Sequence, residues 1–176
     1  SASMTVSSHQ RSKYATALHI AGGLAFACLD RVHCGDATTV IHSLPAASVD
    51  TVVTSPPYYR QRDYGHRHQV GQETSPAAYV ERLVELLARV LKTTGSIWLV
   101  IGDKYEGGQM LGLPWRLVLA LQDSGWLLRS DCIWHKPNAM PCSTKSRPTT
   151  DHEYVFFFTK SKDYYYSADA IREPHV

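Results

Sequence analysis

The residues with most chemical potential lie together at Thr54-Ser55-Pro56-Pro57-Tyr58. Two prolines in a row stiffen the backbone, the Ser55 hydroxyl and Pro56 carbonyl are hydrogen-bond acceptors, and Tyr58 offers an aromatic face. Such a loop can accept both protons of a planar amino group, direct its lone pair out of the ring system and stack the ring. That is a demanding task, because a conjugated nitrogen is a weak nucleophile and orientation alone can remove roughly 7–11 kcal/mol of a barrier. The tetrapeptide in isolation carries little weight, since it also occurs by accident in disordered tails. Its setting decides.

The β-branched run Val49 to Thr54 reads as a strand and enters Ser55-Pro56-Pro57 directly. Prolines cannot continue a central ladder, so the chain must leave the sheet there, at the carboxyl end of a buried strand. In open α/β sheets ligands bind at that edge. Upstream, Asp30 to His33 reads as a short strand and Ala37 to Leu44 as a short helix. Ser75-Pro76 supplies a cap and a first-turn proline, and Tyr79, Val80, Leu83, Leu86, Leu87, Val90 and Leu91 follow at helical spacing until Thr94-Gly95. Ser96 to Ile101 is apolar on both faces, so a strand-helix-strand unit with a parallel pair is expected. A helix from Pro114 through Gln122, a stop at Gly125, and strands over Trp126 to Trp134 and Glu153 to Thr159 complete the pattern. The fold class is α/β with a mostly parallel sheet. The Pro-, Ser-, Thr- and Lys-containing segment 136–150 is expected to be a surface loop, long enough to suggest a role in recognition.

A chain of 176 residues, 44% hydrophobic and 19% charged, is the size of one soluble domain with a real core. We divide it into an N-terminal arm, 1–29, and a catalytic part, 30–176. Its net charge of +2 does not advertise a polyanion partner, so a case for nucleic acid must rest on local charge. Cys28, Cys34, Cys132 and Cys142 show no zinc spacing, and reduced thiols in a cytoplasmic protein are expected. The apolar stretch from Ala15 to Leu29 is interrupted by His19 and Gly22-Gly23 and is not read as a targeting or membrane segment. Ser1-Ala2-Ser3 before Met4 is set aside as an expression remnant.

The motif resembles the [Asp/Asn/Ser]-Pro-Pro-[Tyr/Phe/Trp] signature of the DNA amino-methyltransferases, and the form with serine first looks like the cytosine-N4 enzymes. Gly35-Asp36, Tyr64-Gly65, Ile101-Gly102-Asp103, Gly112-Leu113-Pro114-Trp115, Trp134-His135-Lys136-Pro137 and His152-Glu153-Tyr154 are similar to blocks of bacterial and phage members, so the likeness covers the chain from Arg31 onward. It implies a Rossmann-like methyltransferase fold and S-adenosylmethionine as cofactor. It also implies a base flipped out of the duplex, direct displacement without an enzyme nucleophile, and a place in restriction-modification. The cofactor would be met by Asp36, Thr54 and Ser55, and Trp134 would shape the base pocket. In the permuted order that begins with the catalytic half, a Phe-x-Gly-x-Gly loop for the cofactor follows near the C-terminus, and this chain ends at Val176 without one. A fragment or half of a split enzyme is therefore expected, partnered by DNA and by a complementary C-terminal half; a homodimer stays open.

Other candidates have plain alternatives. Asp36 is equally an N-cap for the helix that starts at Ala37. Arg60, Arg62 and Arg67 follow the motif on a loop where they can reach phosphates, as Lys145 and Arg147 can on the long polar loop, against ordinary solvation. His66 and His68 lack a third ligand for a metal. His152-Glu153 lacks the second histidine of a zinc protease, so a structural duty at a strand start is preferred. Tyr164-Tyr165-Tyr166 is expected to cover a sheet edge. Two other functions remain open at this stage: adenine-N6 methylation, and a non-catalytic DNA- or partner-binding subunit.

Overall fold

The computed structural model describes residues 30, 32–88 and 91–173. The N-terminal arm, with the Ala15 to Leu29 stretch, Cys28 and the leading Ser1-Ala2-Ser3, lies outside the described residues.

Helix α1 (Ala37–Ser43) leads to strand β1 (Val49–Thr54), helix α2 (Pro76–Ala88) and strand β2 (Leu91–Ile101). A hairpin of β3 (Tyr105–Glu106) and β4 (Gln109–Met110), helix α3 (Leu113–Asp123), strands β5 (Leu127–His135) and β6 (His152–Thr159), and a 3-10 turn at Ala168–Ile171 follow. The main sheet has the order β1-β2-β6-β5. β1 and β2 are parallel, as the strand-helix-strand pattern requires. β6 runs antiparallel to both its neighbours, so β1, β2 and β5 share one direction and β6 opposes them. A connection by loop rather than crossover helix permits that reversal.

Helix α2 forms where its sequence says it should: the Ser75 hydroxyl accepts from Ala78 N at 3.1 Å, and Pro76 occupies the first turn. Its Tyr79, Leu83, Leu86 and Leu87 join Leu117 and Leu121 of α3, with Ile97, Leu99, Ile101, Phe156 and Phe158 of the sheet, in one buried cluster. Each such side chain contributes about 1.5–3 kcal/mol on burial. On the other face of the sheet Trp98 stacks on Phe157 at 4.3 Å between ring centroids.

Three expectations are corrected. Asp30 is in a turn, and Val32 and His33 enter no ladder, so the Asp30 to His33 strand is not formed among the described residues; an extended run needs a neighbouring strand to pair with. Leu91 belongs to β2, where it pairs with Val49, and not to the preceding helix. The register then shifts before Thr51 meets Ser96, with Gly95 at the tight spot, where a Cβ would stand 2.5 Å from the Leu91 side chain. Tyr164 and Tyr166 pack on Phe157, each at 5.7 Å, covering a sheet face and not an edge. The β3-β4 hairpin was unforeseen; both residues of its Gly107-Gly108 turn have positive φ, +58° and +80°.

Candidate active site

Ser55 to Tyr58 leave β1 at the carboxyl edge of the sheet, as expected, and line a cavity of about 380 Å³ with Gln61, Arg62, Tyr64 and Glu153. The loop is held from below. Tyr79 of α2 is fully buried, and its hydroxyl donates to the Pro57 carbonyl at 3.0 Å. Arg60 N donates to the Gly71 carbonyl at 2.6 Å. Gly71, at φ +97°, lies so close that a Cβ there would meet the Pro57 carbonyl at 3.1 Å. Tyr59 is buried against Tyr79, which turns the neighbouring Tyr58 toward the cavity.

Tyr58 sits over Gly102, at the end of β2, where a Cβ would be 3.0 Å from the tyrosine ring and 3.5 Å from Glu153 Oε1. The Ser55 hydroxyl donates to Tyr58 Oη at 3.3 Å. Burial pushes the Tyr58 phenol up; the Ser55 hydrogen bond opposes this, and the nearby Glu153 carboxylate adds to it. Glu153 accepts from Lys136 Nζ at 2.6 Å. Sequence alone assigns Glu153 a structural duty, yet it is the only acid in the cavity lining, and Lys136 reaches it from the end of β5.

The neighbouring loops are braced. Asp103 accepts from Gly112 N at 2.8 Å and Leu113 N at 3.1 Å, tying the end of β2 to the start of α3. Asp63 accepts from Gly65 N at 2.7 Å and Gln69 Nε2 at 2.6 Å, and these bonds hold its carboxyl below the ordinary range.

Of the other residues singled out by sequence, Arg62 alone among the arginines lines the cavity. Arg60 donates to the Thr74 carbonyl at 3.1 Å. Arg67 lines a separate cleft of about 260 Å³ with His68 and Arg82. Trp134 is 57% exposed and pairs across the ladder with Glu153, which places it beside the site without lining it. Arg147 lies over the Tyr105 ring at 3.6 Å, pinning loop 136–150 to the β3-β4 hairpin, while Lys145 is exposed. Asp36 is the N-cap of α1: its Oδ1 accepts from Thr39 N at 3.0 Å and Thr39 Oγ1 at 3.1 Å, bonds that lower its carboxyl. Thr54 ends β1 opposite Leu99. Among the described residues no group of His, Cys, Asp and Glu is arranged to hold a metal, and no helix is long and apolar enough to cross a membrane.

The chain is similar to known proteins in sequence and fold. A family profile described as DNA methylase, of N6/N4 type, matches residues 49–176. Type II methyltransferase M.XycI of Xanthomonas campestris pv. cyanopsidis is 45% identical over 172 residues, an alignment covering 80% of this chain and 57% of the relative. M.SmaI of Serratia marcescens is 40% identical, with 80% and 59% covered. A putative DNA modification methylase of Thermus thermophilus, solved in complex with S-adenosyl-L-methionine, superposes with a TM-score of 0.58 at 28% identity over 80% of this chain and 57% of its own. The PvuII DNA methyltransferase, described as cytosine-N4-specific, shares the fold with a TM-score of 0.60 at 24% identity, covering 74% of this chain and 49% of its own. The chain thus spans about half to three-fifths of the length of these relatives. With a family profile that matches residues 49–176 and relatives 40–45% identical over 80% of its length, the chain belongs to the N6/N4 DNA methylase family.

Proposed function

We propose that this chain is the catalytic part of a DNA methyltransferase that methylates the exocyclic N4 amine of cytosine in a specific sequence, as a modification enzyme of a Type II restriction system. The observation that carries the reading is the cavity lined by Ser55, Pro56, Pro57 and Tyr58 at the carboxyl end of β1. The Pro57 carbonyl is occupied by Tyr79, so the acceptors offered to an amino group are the Ser55 hydroxyl and the Pro56 carbonyl. Tyr58 stacks on a base rotated out of the duplex. Arg62 on the cavity rim, Arg60 and Arg67 on the same loop, Trp134 beside the site, and Lys145 and Arg147 on loop 136–150 are the proposed DNA contacts.

S-adenosylmethionine, when bound, supplies the methyl group. The donor set on this chain suits part of it: the Asp36 carboxylate can accept from a ribose or adenine while one oxygen caps α1, and Thr54 and Ser55 stand at the ligand edge of the sheet. A glycine-rich loop for the methionine end is assigned to a complementary segment. Support for that segment comes from the coverage of the relatives and from β1, which is an edge strand among the described residues, with Val53 73% exposed.

The experiment is nucleoside mass spectrometry of DNA incubated with S-adenosylmethionine and the chain, alone and with a complementary segment. N4-methylcytosine, appearing with the segment, is the expected product. N6-methyladenine would replace cytosine by adenine in the reading, and no methylated base in either mixture would reduce the chain to a binding subunit.

A further inference from the structure

A line of polar side chains leads from the cavity toward solvent. Ser55 Oγ donates to Tyr58 Oη at 3.3 Å, the Glu153 carboxylate and the Tyr58 ring both close on the Cβ position of Gly102, at 3.5 and 3.0 Å, and Lys136 Nζ donates to Glu153 Oε1 at 2.6 Å. Ser55 donates to Tyr58, which leaves the phenol proton free to move toward the carboxylate that shares the cavity lining. Three segments distant in sequence build this line, the end of β1, the start of β6 and the end of β5, and Gly102 makes room for it. The Glu153 side chain is 23% exposed and that of Lys136 42%, so the line leads from the cavity outward.

We propose that Ser55, Tyr58 and Glu153 form a relay that removes the proton released when the amine is methylated, with Lys136 holding Glu153 in place. This rests on the function proposed above. In the transfer, the amine nitrogen forms a bond to the methyl carbon as the sulfur–carbon bond breaks, its electron pair staying on sulfur. The nitrogen then carries a positive charge and one proton too many. That proton passes to Ser55 Oγ as the Ser55 proton moves to Tyr58 Oη and the Tyr58 proton to Glu153, which ends as a neutral carboxylic acid and exchanges with water. Burial favours the neutral phenol, so Tyr58 passes the proton on and does not store a charge. The aligned hydroxyl dipoles and the carboxylate also stabilise positive charge as it develops on nitrogen.

The contact is tested on the chain itself by NMR of tyrosine labelled at Cζ, with the Tyr58 signal assigned by Tyr58→Phe. The charged groups at the phenol are Glu153 and Lys136, with Arg62 on the cavity wall. Glu153→Gln is expected to let Tyr58 ionise at lower pH, and Lys136→Met at higher pH. A Tyr58 signal indifferent to both changes overturns the relay. The chemistry is tested in the protein joined to its complementary segment. Glu153→Gln and Tyr58→Phe, which keeps the stacking ring, should each slow single-turnover methylation by about 10-fold or more. DNA affinity should be unchanged, and the double variant no slower than the slower single one. Full rates in both variants would overturn the relay and leave the methyltransferase reading intact. Failure of the unaltered protein to methylate DNA would strike that reading instead, with the NMR result still deciding the contact.

Discussion

Tyr79→Phe isolates the bond that holds the proline loop. The variant keeps the buried ring and its packing on Tyr59, with centroids 5.6 Å apart, and removes only the hydroxyl that donates to Pro57 at 3.0 Å. An orphaned acceptor costs about 1–3 kcal/mol, and because Pro57 is half-buried and water can reach it in part, about 1–2 kcal/mol is expected. For a domain of this size that is roughly 2–8 °C in Tm. The pH dependence adds a second, independent sign. Burial, then the charges of Glu73 and Tyr58, raise the Tyr79 phenol well above its ordinary value. In the unfolded chain it titrates near pH ~10, so the unfolded state loses its proton first. This group's contribution is complete below pH ~10 and falls above it by up to about 1.4 kcal/mol per pH unit. Tyr79→Phe has no such term, so the stability gap between the two proteins should narrow above pH ~10. Thermal unfolding followed by circular dichroism at pH 8 and above pH 10 measures both. Equal Tm values at pH 8, or a gap that does not change with pH, would refute the clamp.

Gly102→Ala places a Cβ 3.0 Å from the Tyr58 ring; thermal stability should change by less than ~1 kcal/mol, since only one part-exposed ring must move, while methylation in the complemented protein falls about 10-fold or more. Asp103→Ala removes the acceptor for the Gly112 and Leu113 amides at the start of α3 and should cost about 1–2 kcal/mol in urea unfolding; a midpoint within error of the parent would count against this cap. Lys160→Met keeps the apolar stem but removes the ammonium that donates to the Ala88 and Leu91 carbonyls, both at 2.8 Å; a similar loss of about 1–2 kcal/mol is expected, and amide exchange should accelerate first at the carboxyl end of α2.

What could be read from sequence was what local chemistry dictates. Val49 to Thr54 is a strand because its β-branched residues say so and two prolines end it. The start of α2 is written in Ser75-Pro76. Where partners decide, the sequence was silent or misleading. Leu91 suits the end of a helix as well as the start of a strand, and only its ladder contact with Val49 settles the choice. The β3-β4 hairpin did have a local signal, because two adjacent glycines between short extended pairs are the preferred residues for a two-residue turn. Asp36 was readable as a cap, whereas the capping of α3 by Asp103, ten residues upstream of Leu113, was not.

Glu153 shows why the rest of the site was hidden. Its neighbours identify it only as the charged start of a strand. Its part in the cavity depends on strand direction: because β6 opposes β2, Tyr154 pairs with Ile101, and the first residues of β6 arrive at the carboxyl edge of the sheet, where Tyr58 lies. In a parallel β6 of eight residues, the same glutamate would begin at the opposite edge, roughly 25 Å away at about 3.3 Å per residue. The reversal also brings Lys136 to it, since β5 ends where β6 begins, with His135 opposite His152. One antiparallel strand therefore brings to the proline loop the only carboxylate in the cavity lining and the ammonium that pairs with it.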